Sequence, residues 1–369
     1  MIRETDLLAR FGGDEFAILN AHANTAMASG TLAASVARVV AVPFRIDGTD
    51  VRVTASIGIA SYSADLNDPE DMLTQADLAL YRAKGEGGNC FRFHSAELDA
   101  KVHERVTIAD DLRIALDRRE LELYYQPVVA LVSRRIVCME ALIRWNHPTR
   151  GLLYPGAFIP VAESTGIIVS LGRWAFDEAC RQLRTWQDQG IAPPVMAVNL
   201  SGAQFRGTTH LELEIAGSLS KWGIAAETME LELAESVLME VAERHGDIFT
   251  RLRQLGVRIA IDDFGTGHSS LNELTRYPIN RLKIAQTVLS RVGADAGSAT
   301  VVRAAVGIGR ELGITVTAEG VETEAQATML LAAGCEQAQG YLFGRPMPAS
   351  AAANVLASNA TVNHAASPS

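Results

Sequence analysis

The sequence contains no run of about 18 uncharged apolar residues, so no stretch of it reads as a membrane span. Its first residues, MIRETDLLARFGGDEF, are charged and have no apolar centre, which argues against a signal peptide. Cysteine is scarce: Cys90, Cys138, Cys180 and Cys335 are scattered and form no CxxC pair. That spacing favours single thiols in a reducing compartment over disulfides or zinc, and a cytoplasmic setting is expected. Positive charge is also short, with 33 Lys and Arg against 43 Asp and Glu and a formal net charge of −10. A general DNA-binding role is therefore not expected. A charged nucleotide remains possible if cations neutralise it locally.

What is present describes a folded chain. Hydrophobic residues make up 48% and charged residues 21%, the balance of a globular protein rather than a disordered one. A length of 369 residues exceeds one ordinary domain, so two are expected. Residues 6–20 read as a hairpin around Gly12-Gly13-Asp14-Glu15. Thr31–Val42 and Asp71–Lys84 have helical spacing, while Val51–Ala60 and Cys90–Phe93 are strand-like. Beyond about residue 108 the texture changes. Strand candidates are Leu121–Val129, Ile136–Trp145, Val195–Leu200, Met229–Ala234, Val257–Asp262, Arg281–Ile284 and Ile314–Ala318, with helical patterns in the gaps. This alternation predicts a (β/α)8 barrel of the TIM type, with its site at the strands' C-terminal ends.

Those ends are unusually polar. Val257–Ser270 runs from a short apolar strand into Asp262-Asp263 and a glycine-rich turn. Adjacent acids at a buried strand end repel each other and lose hydration, which hard cations such as Mg²⁺ or Mn²⁺ would relieve. A solvated strand end is the alternative for any one of them. Asn199, Glu232, Glu319 and Glu140 occupy comparable places on four further strands, and a closed barrel would bring all of these oxygens together. Two metals about 3.5–4 Å apart are a recurring solution for cleaving phosphodiesters. Lys283, on the next strand, either balances these acids as an ion pair or meets charge developing on a phosphoryl group.

The motifs in this order resemble the EAL domain, the cyclic di-GMP phosphodiesterase module, over residues 121–348. They are Tyr125-Gln126-Pro127, Glu140-Ala141-Leu142 extended to Arg144, Val198-Asn199-Leu200-Ser201, Glu232-Leu233-Ala234-Glu235-Ser236, Asp262-Asp263-Phe264-Gly265, Ala318-Glu319-Gly320-Val321-Glu322 and Gln339-Gly340-Tyr341. The resemblance implies two Mg²⁺ or Mn²⁺ ions held by Glu140, Asn199, Glu232, Asp262, Asp263 and Glu319. It implies help with the attacking water from Glu319 and Lys283, and orienting roles for Glu322 and Gln339. Gln126, Leu142, Arg144 and Gln339 would grip cyclic di-GMP. Glu235 would anchor the loop after Asp263, which in the family couples the site to a homodimer interface. Two departures stand out: Ala285 follows Lys283-Ile284 where the family has Asp, and His268 replaces a frequent Tyr. A receptor that binds cyclic di-GMP without cutting it is the competing expectation.

The N-terminal residues resemble the second half of a GGDEF domain, the diguanylate cyclase fold. Gly12-Gly13-Asp14-Glu15-Phe16, the SIGIA strand and the ADLALYRAK helix carry this likeness, and Arg3 and Asp6 match the family's inhibitory product site. The family's first strand and its early metal-binding Asp would precede residue 1, and Gly87-Gly88-Asn89 departs from Gly-Arg-Asn, so cyclase activity is not expected. The expected organisation is a partial GGDEF-like domain over 1–95, a connecting helix over 96–120, an EAL barrel over 121–356 and a flexible tail over 357–369.

Overall fold

A computed structural model of the chain describes residues 5–21, 25–46, 49–62, 68–207, 210–245, 247–265, 276–289 and 296–365. Arg3 and His268 lie outside them. The chain divides into two compact units, Met1–Asp111 and Leu112–Ser369.

In the first unit the glycine turn forms as expected. Strands β1 (Leu7–Gly12) and β2 (Glu15–Leu19) pair antiparallel, and Gly13 turns the chain at φ 51°. The helix expected from Thr31 begins five residues earlier, over Ala26–Val40, because Thr25 caps it by accepting from the Ala28 N–H. The strand expected over Val51–Ala60 divides into pieces. β3 (Phe44–Ile46) pairs with β4 (Thr49–Val51), whereas β5 (Ile57–Ile59) pairs in parallel with β6 (Phe91–Phe93). The helix Pro69–Gly85 crosses β5 so closely that a Cβ on Gly58 would lie 2.0 Å from the Ala76 carbonyl oxygen.

The second unit is a closed barrel. Its first two strands, β7 (Leu121–Ala130) and β8 (Ile136–His147), have only a five-residue link and therefore pair as an antiparallel hairpin. A short β9 (Gly151–Leu153) extends β8 outside the ring. The following strands are β10 (Met196–Asn199), β11 (Met229–Ala234), β12 (Arg258–Phe264), β13 (Arg281–Ile284) and β14 (Thr315–Ala318). Each is parallel to its neighbour, and β10 is parallel to β8. The eighth strand, β15 (Gln337–Gln339), is absent from the sequence-based candidates. It has three residues, two of them glutamine, and only its seat between β14 and β7 makes it a strand. The barrel thus departs from the all-parallel expectation at one point: β7 runs against both neighbours. A last short strand, β16 (Met347–Pro348), pairs with β7 outside the ring.

Helices cover the outside. The one over Ile168–Asp188 buries Phe176, Leu183 and Trp186, and the Trp186 ring meets Tyr125 edge-on at 4.8 Å. The helix Ala349–Ala365 continues past Leu356, where the sequence suggests a loose tail, and Asn359 accepts from the Ile136 N–H at 3.1 Å. No helix among the described residues is long and apolar enough to cross a membrane.

Gly340, just beyond β15, brings that strand end against the loop after β14. A Cβ there would sit 2.2 Å from both the N and O of Val321. Gly340→Ala is expected to lower barrel stability by roughly 1–3 kcal/mol through this overpacking. All four tryptophans, at 145, 174, 186 and 222, belong to the barrel unit, so denaturation followed by tryptophan fluorescence reads it selectively. An unchanged midpoint would show that the backbone has room to yield.

Candidate functional site

The pairing register carries one face of the sheet around the whole ring. Gln126 stands opposite Glu140, Asn199 opposite Glu232, Lys283 opposite Thr317, and Thr317 opposite Gln337. Paired residues point to the same side, and residues two apart on a strand share a face. Gln126, Glu140, Asn199, Glu232, Asp262, Lys283, Glu319 and Gln339 therefore converge on the barrel interior near the C-terminal ends of its parallel strands.

Lys283 lies at the centre. It is 1% exposed, and its Nζ is 2.7 Å from Glu232 Oε2, 2.7 Å from Glu319 Oε1, and 3.5 Å from both Glu140 Oε2 and Asp262 Oδ1. Burial favours loss of its proton, but these four carboxylates hold its pKa well above the ordinary lysine value. Glu140 is buried, which alone would raise its pKa. Lys283 and hydrogen bonds from Gln339 Nε2 at 2.6 Å and Asn199 Nδ2 at 2.8 Å bring it below the usual carboxylate range. Glu232 goes the other way, raised by burial and by the charge of Glu140. Glu319 is pushed up to about 7, chiefly by burial, with Asp262 and Glu140 adding to the shift against Lys283.

Asp262 and Asp263 would face opposite sides of a regular strand. A bulge in β12 prevents this: Ile261 pairs with Leu282 and Phe264 with Ile284, so three steps on β12 span two on β13. Asp263 takes the left-handed conformation at φ 57°, and its N–H donates to Asp262 Oδ1 at 2.9 Å. Asp262, Asp263 and Glu319 consequently offer one oxygen each, all within 4.8 Å of one another. Burial and the neighbouring Asp262 raise the pKa of Asp263. Just beyond the bulge, the Gly265 N–H donates to the buried carboxylate of Glu235 at 3.1 Å.

The site holds five carboxylates against one ammonium, which leaves four negative charges when every acid is ionised. Two divalent cations carry four positive ones. The oxygen-only donor set and the three carboxyls pushed upward, Glu232, Asp263 and Glu319, fit hard cations. Asp262, Asp263 and Glu319 are close enough that they could share one ion, while Glu140, Glu232 and Asn199 form the adjoining wall.

Along that wall the amides are oriented in sequence. Gln339 Nε2 also donates to Gln126 Oε1 at 3.1 Å, and Gln126 Nε2 donates to the Gly344 carbonyl at 3.0 Å. Gln339 Oε1 is buried without a hydrogen-bond partner among the described residues, as is Arg144 Nε. Arg144 lies between the rings of Tyr124 and Tyr154, at 5.3 and 5.0 Å from their centroids. Leu142 is half-buried on the same strand. Glu322 is exposed, and its backbone N–H donates to Gln326, so the described contacts leave its side chain apart from the cluster. Asp6 is half-buried in the first unit.

Sequence reasoning missed the tyrosines that hold Arg144. It also missed a second polar group deeper in the barrel, where Arg281 joins Glu230, Thr317 and Gln337. A signal for that group exists in Glu230-x-Glu232, Arg281-x-Lys283 and Gln337-x-Gln339, like residues repeated with the period of a strand.

Comparison with known proteins agrees with this fold. The family model described as "EAL domain" matches residues 109–346, and "Diguanylate cyclase, GGDEF domain" matches residues 1–90. The bifunctional diguanylate cyclase/cyclic di-GMP phosphodiesterase MucR of Pseudomonas aeruginosa is 42% identical over 348 residues, covering 94% of this chain and 50% of that protein. The cyclic di-GMP phosphodiesterase NbdA of the same organism is 37% identical over 351 residues, covering 95% of this chain and 45% of its own length. The solved complex of the PaMucR phosphodiesterase with c-di-GMP is 44% identical with a TM-score of 0.62, covering 67% of this chain and 99% of that one. The chain spans about half the length of the curated relatives it matches. By its barrel, its motifs and these matches, the chain belongs to the EAL domain family and carries a GGDEF-family region ahead of the barrel.

Proposed function

We propose that the barrel hydrolyses cyclic di-GMP to linear pGpG with two Mg²⁺ or Mn²⁺ ions. The observation that carries this reading is the convergence of four carboxylates on one buried lysine, two of which, Asp262 and Glu319, join Asp263 in offering oxygens within 4.8 Å of one another. Glu140, Asn199, Glu232, Asp262, Asp263 and Glu319 would hold the ions. When bound, such ions neutralise the acids, polarise phosphoryl oxygens and make water acidic enough to attack at neutral pH.

The residues themselves supply the rest. Water adds to phosphorus, the P–O3′ bond breaks, and the leaving 3′ oxygen takes up a proton, leaving a 5′ phosphate on pGpG. Glu319, beside Lys283 at 2.7 Å, would position the attacking water and help take up its proton. Lys283 stays protonated and faces the charge that develops on the phosphoryl oxygens. Arg144 is held by two tyrosines with its Nε unpartnered, as suits a phosphate or guanine acceptor. Gln126 and Gln339 present amides oriented by Gly344 and Glu140 to the same dinucleotide. Glu235 steadies the chain after Asp263 through Gly265, toward a homodimer contact of the barrel.

One observation favours a second reading, a cyclic di-GMP receptor. Ala285 is buried and places a methyl group beyond Lys283, where a carboxylate would support the ions. Losing such outer support costs about 10–100-fold in metal affinity or activity, so slow hydrolysis rather than none is the expected result.

Purified protein incubated for hours with cyclic di-GMP and Mn²⁺ is expected to yield pGpG on chromatography. Glu140→Ala and Glu319→Gln should each reduce the rate by about 100-fold or more while the fold survives, since removal of a ligand should exceed the loss of an outer partner. Saturable binding with intact substrate would instead establish the receptor reading.

Glu319 also yields a stability test. Its folded pKa, about 7, lies above the 4.5 of an unperturbed glutamate. The stability it contributes is therefore complete below about 4.5 and is lost as pH rises through 7. In chelator, the melting temperature of the barrel is expected to fall from pH 5 to pH 8. The increment produced by a fixed Mn²⁺ concentration is expected to grow over the same window. An Mn²⁺ increment that shrinks with rising pH would contradict cation binding at these carboxylates.

A further inference from the structure

Beneath the carboxylates, one strand repeat deeper in the barrel, lies a second polar layer. Its centre is Arg281, whose side chain is 3% exposed. Arg281 Nε donates to Glu230 Oε1 at 2.6 Å, and Nη1 donates to Thr317 Oγ1 at 3.1 Å and to Gln337 Oε1. The other oxygen of Glu230 accepts from Arg258 Nε at 3.3 Å. Glu230 and Thr317 are both completely buried. These groups come from five successive strands, β11 to β15.

The placement of this layer is specific. Glu230 is two residues before Glu232, Arg281 two before Lys283, Thr317 two before Glu319, and Gln337 two before Gln339. Each of these four lies on the inward face directly below a member of the site, about 6.6–6.8 Å down the same strand. A planar guanidinium fork is rigid, and its donors have a fixed spread. Bound at once to one adjacent strand, β14, and to two strands further round the ring, β11 and β15, it ties their positions across the interior. The residues above inherit those positions: Lys283 reaches Glu232 and Glu319 at 2.7 Å each.

We propose that Arg281 is a positioning residue for the cation site: its fork to Glu230, Thr317 and Gln337 fixes the separation of Glu232, Lys283, Glu319 and Gln339, and so the spacing at which divalent cations are held. The inference rests on the metal-dependent reading given above. It goes further by assigning the site's geometry to a group that touches neither ion nor nucleotide. The buried pair is also weak as a source of stability, because a buried ion pair is often matched by apolar residues of similar volume.

Arg281→Lys keeps the charge but cannot reach three acceptors in fixed directions. The double variant Arg281→Met with Glu230→Met removes both buried charges together, so neither is left unpaired. Fold is followed by circular dichroism and tryptophan fluorescence, and Mn²⁺ affinity by calorimetry without nucleotide. Both variants are expected to fold and to bind Mn²⁺ about 10–100-fold more weakly, the usual effect of removing an outer partner. In turnover, kcat is expected to fall by a larger factor than KM for cyclic di-GMP rises, because Arg144 and Gln126 keep their places against the nucleotide. A folded variant with the affinity of the unaltered chain overturns the proposal, even if its melting temperature has dropped. Should neither variant fold, the isosteric Thr317→Val carries the test: several-fold weaker Mn²⁺ binding supports the proposal, and unchanged binding overturns it. A chain that takes up Mn²⁺ but does not cleave cyclic di-GMP sinks the hydrolase reading alone, and the calorimetric comparison still decides this one. Failure of the unaltered chain to take up Mn²⁺ overturns both.

Discussion

The structure of the barrel turns on one buried ammonium. Lys283 is almost completely removed from water, which by itself would favour the neutral amine. It stays charged because four carboxylates surround it, and those carboxylates stand so close together because a cation lies between them. One positive charge does not balance the group. The remainder shows as upward pressure on Glu232, Asp263 and Glu319. Such a cluster gains nothing from burial as a stability device, since desolvating several like charges is expensive. A protein keeps it where the excess charge has a use, and metal-dependent phosphodiester chemistry is a use that fits these oxygen donors.

The fold makes the cluster possible through closure. A flat sheet would spread Glu140, Asn199, Glu232, Asp262, Lys283 and Glu319 over six strands and leave the outer pair far apart. In the ring, the antiparallel hairpin of β7 and β8 brings the sheet back on itself, so Gln339 of β15 reaches Gln126 and Glu140. Below this level the Arg281 layer ties β11, β13, β14 and β15 across the interior. The barrel is therefore polar at two depths. A smaller apolar group of Val128, Cys138, Val195 and Ala197 fills the side of the interior nearest the hairpin.

The legible part of the site was legible because strand periodicity is local. A residue that is apolar on both sides and then acidic at a strand end can be read from a few letters, as with Glu232 in Met229–Ala234 and Asp262 in Val257–Asp262. Motif order then named the family. Arg281 and Glu230 were not singled out, although both sit in strands read from the sequence, because a charged residue in a strand usually faces solvent and nothing local says otherwise. Gln337–Gln339 was missed for a related reason: three residues without β-branched or aromatic side chains carry no strand signal, and pairing on both edges decides the matter. In the first unit, Val51–Ala60 looked continuous, but the close passage of a helix over Gly58 and the local hairpin of β3 and β4 divide it.

By itself the sequence determined which residue types stand at the strand ends, the alternation of strands and helices, and the order of motifs that marks the EAL family. These follow from short-range periodicity and from the chemistry of single side chains. Tertiary structure decided what those residues touch. The bulge in β12 and the left-handed Asp263 turn two acids that would diverge into a shared cluster with Glu319. Ring closure placed Lys283 within 3.5 Å of carboxylates from four other strands. The physical reason is that both distances depend on register and curvature accumulated around the ring, and no stretch of chain encodes either one locally.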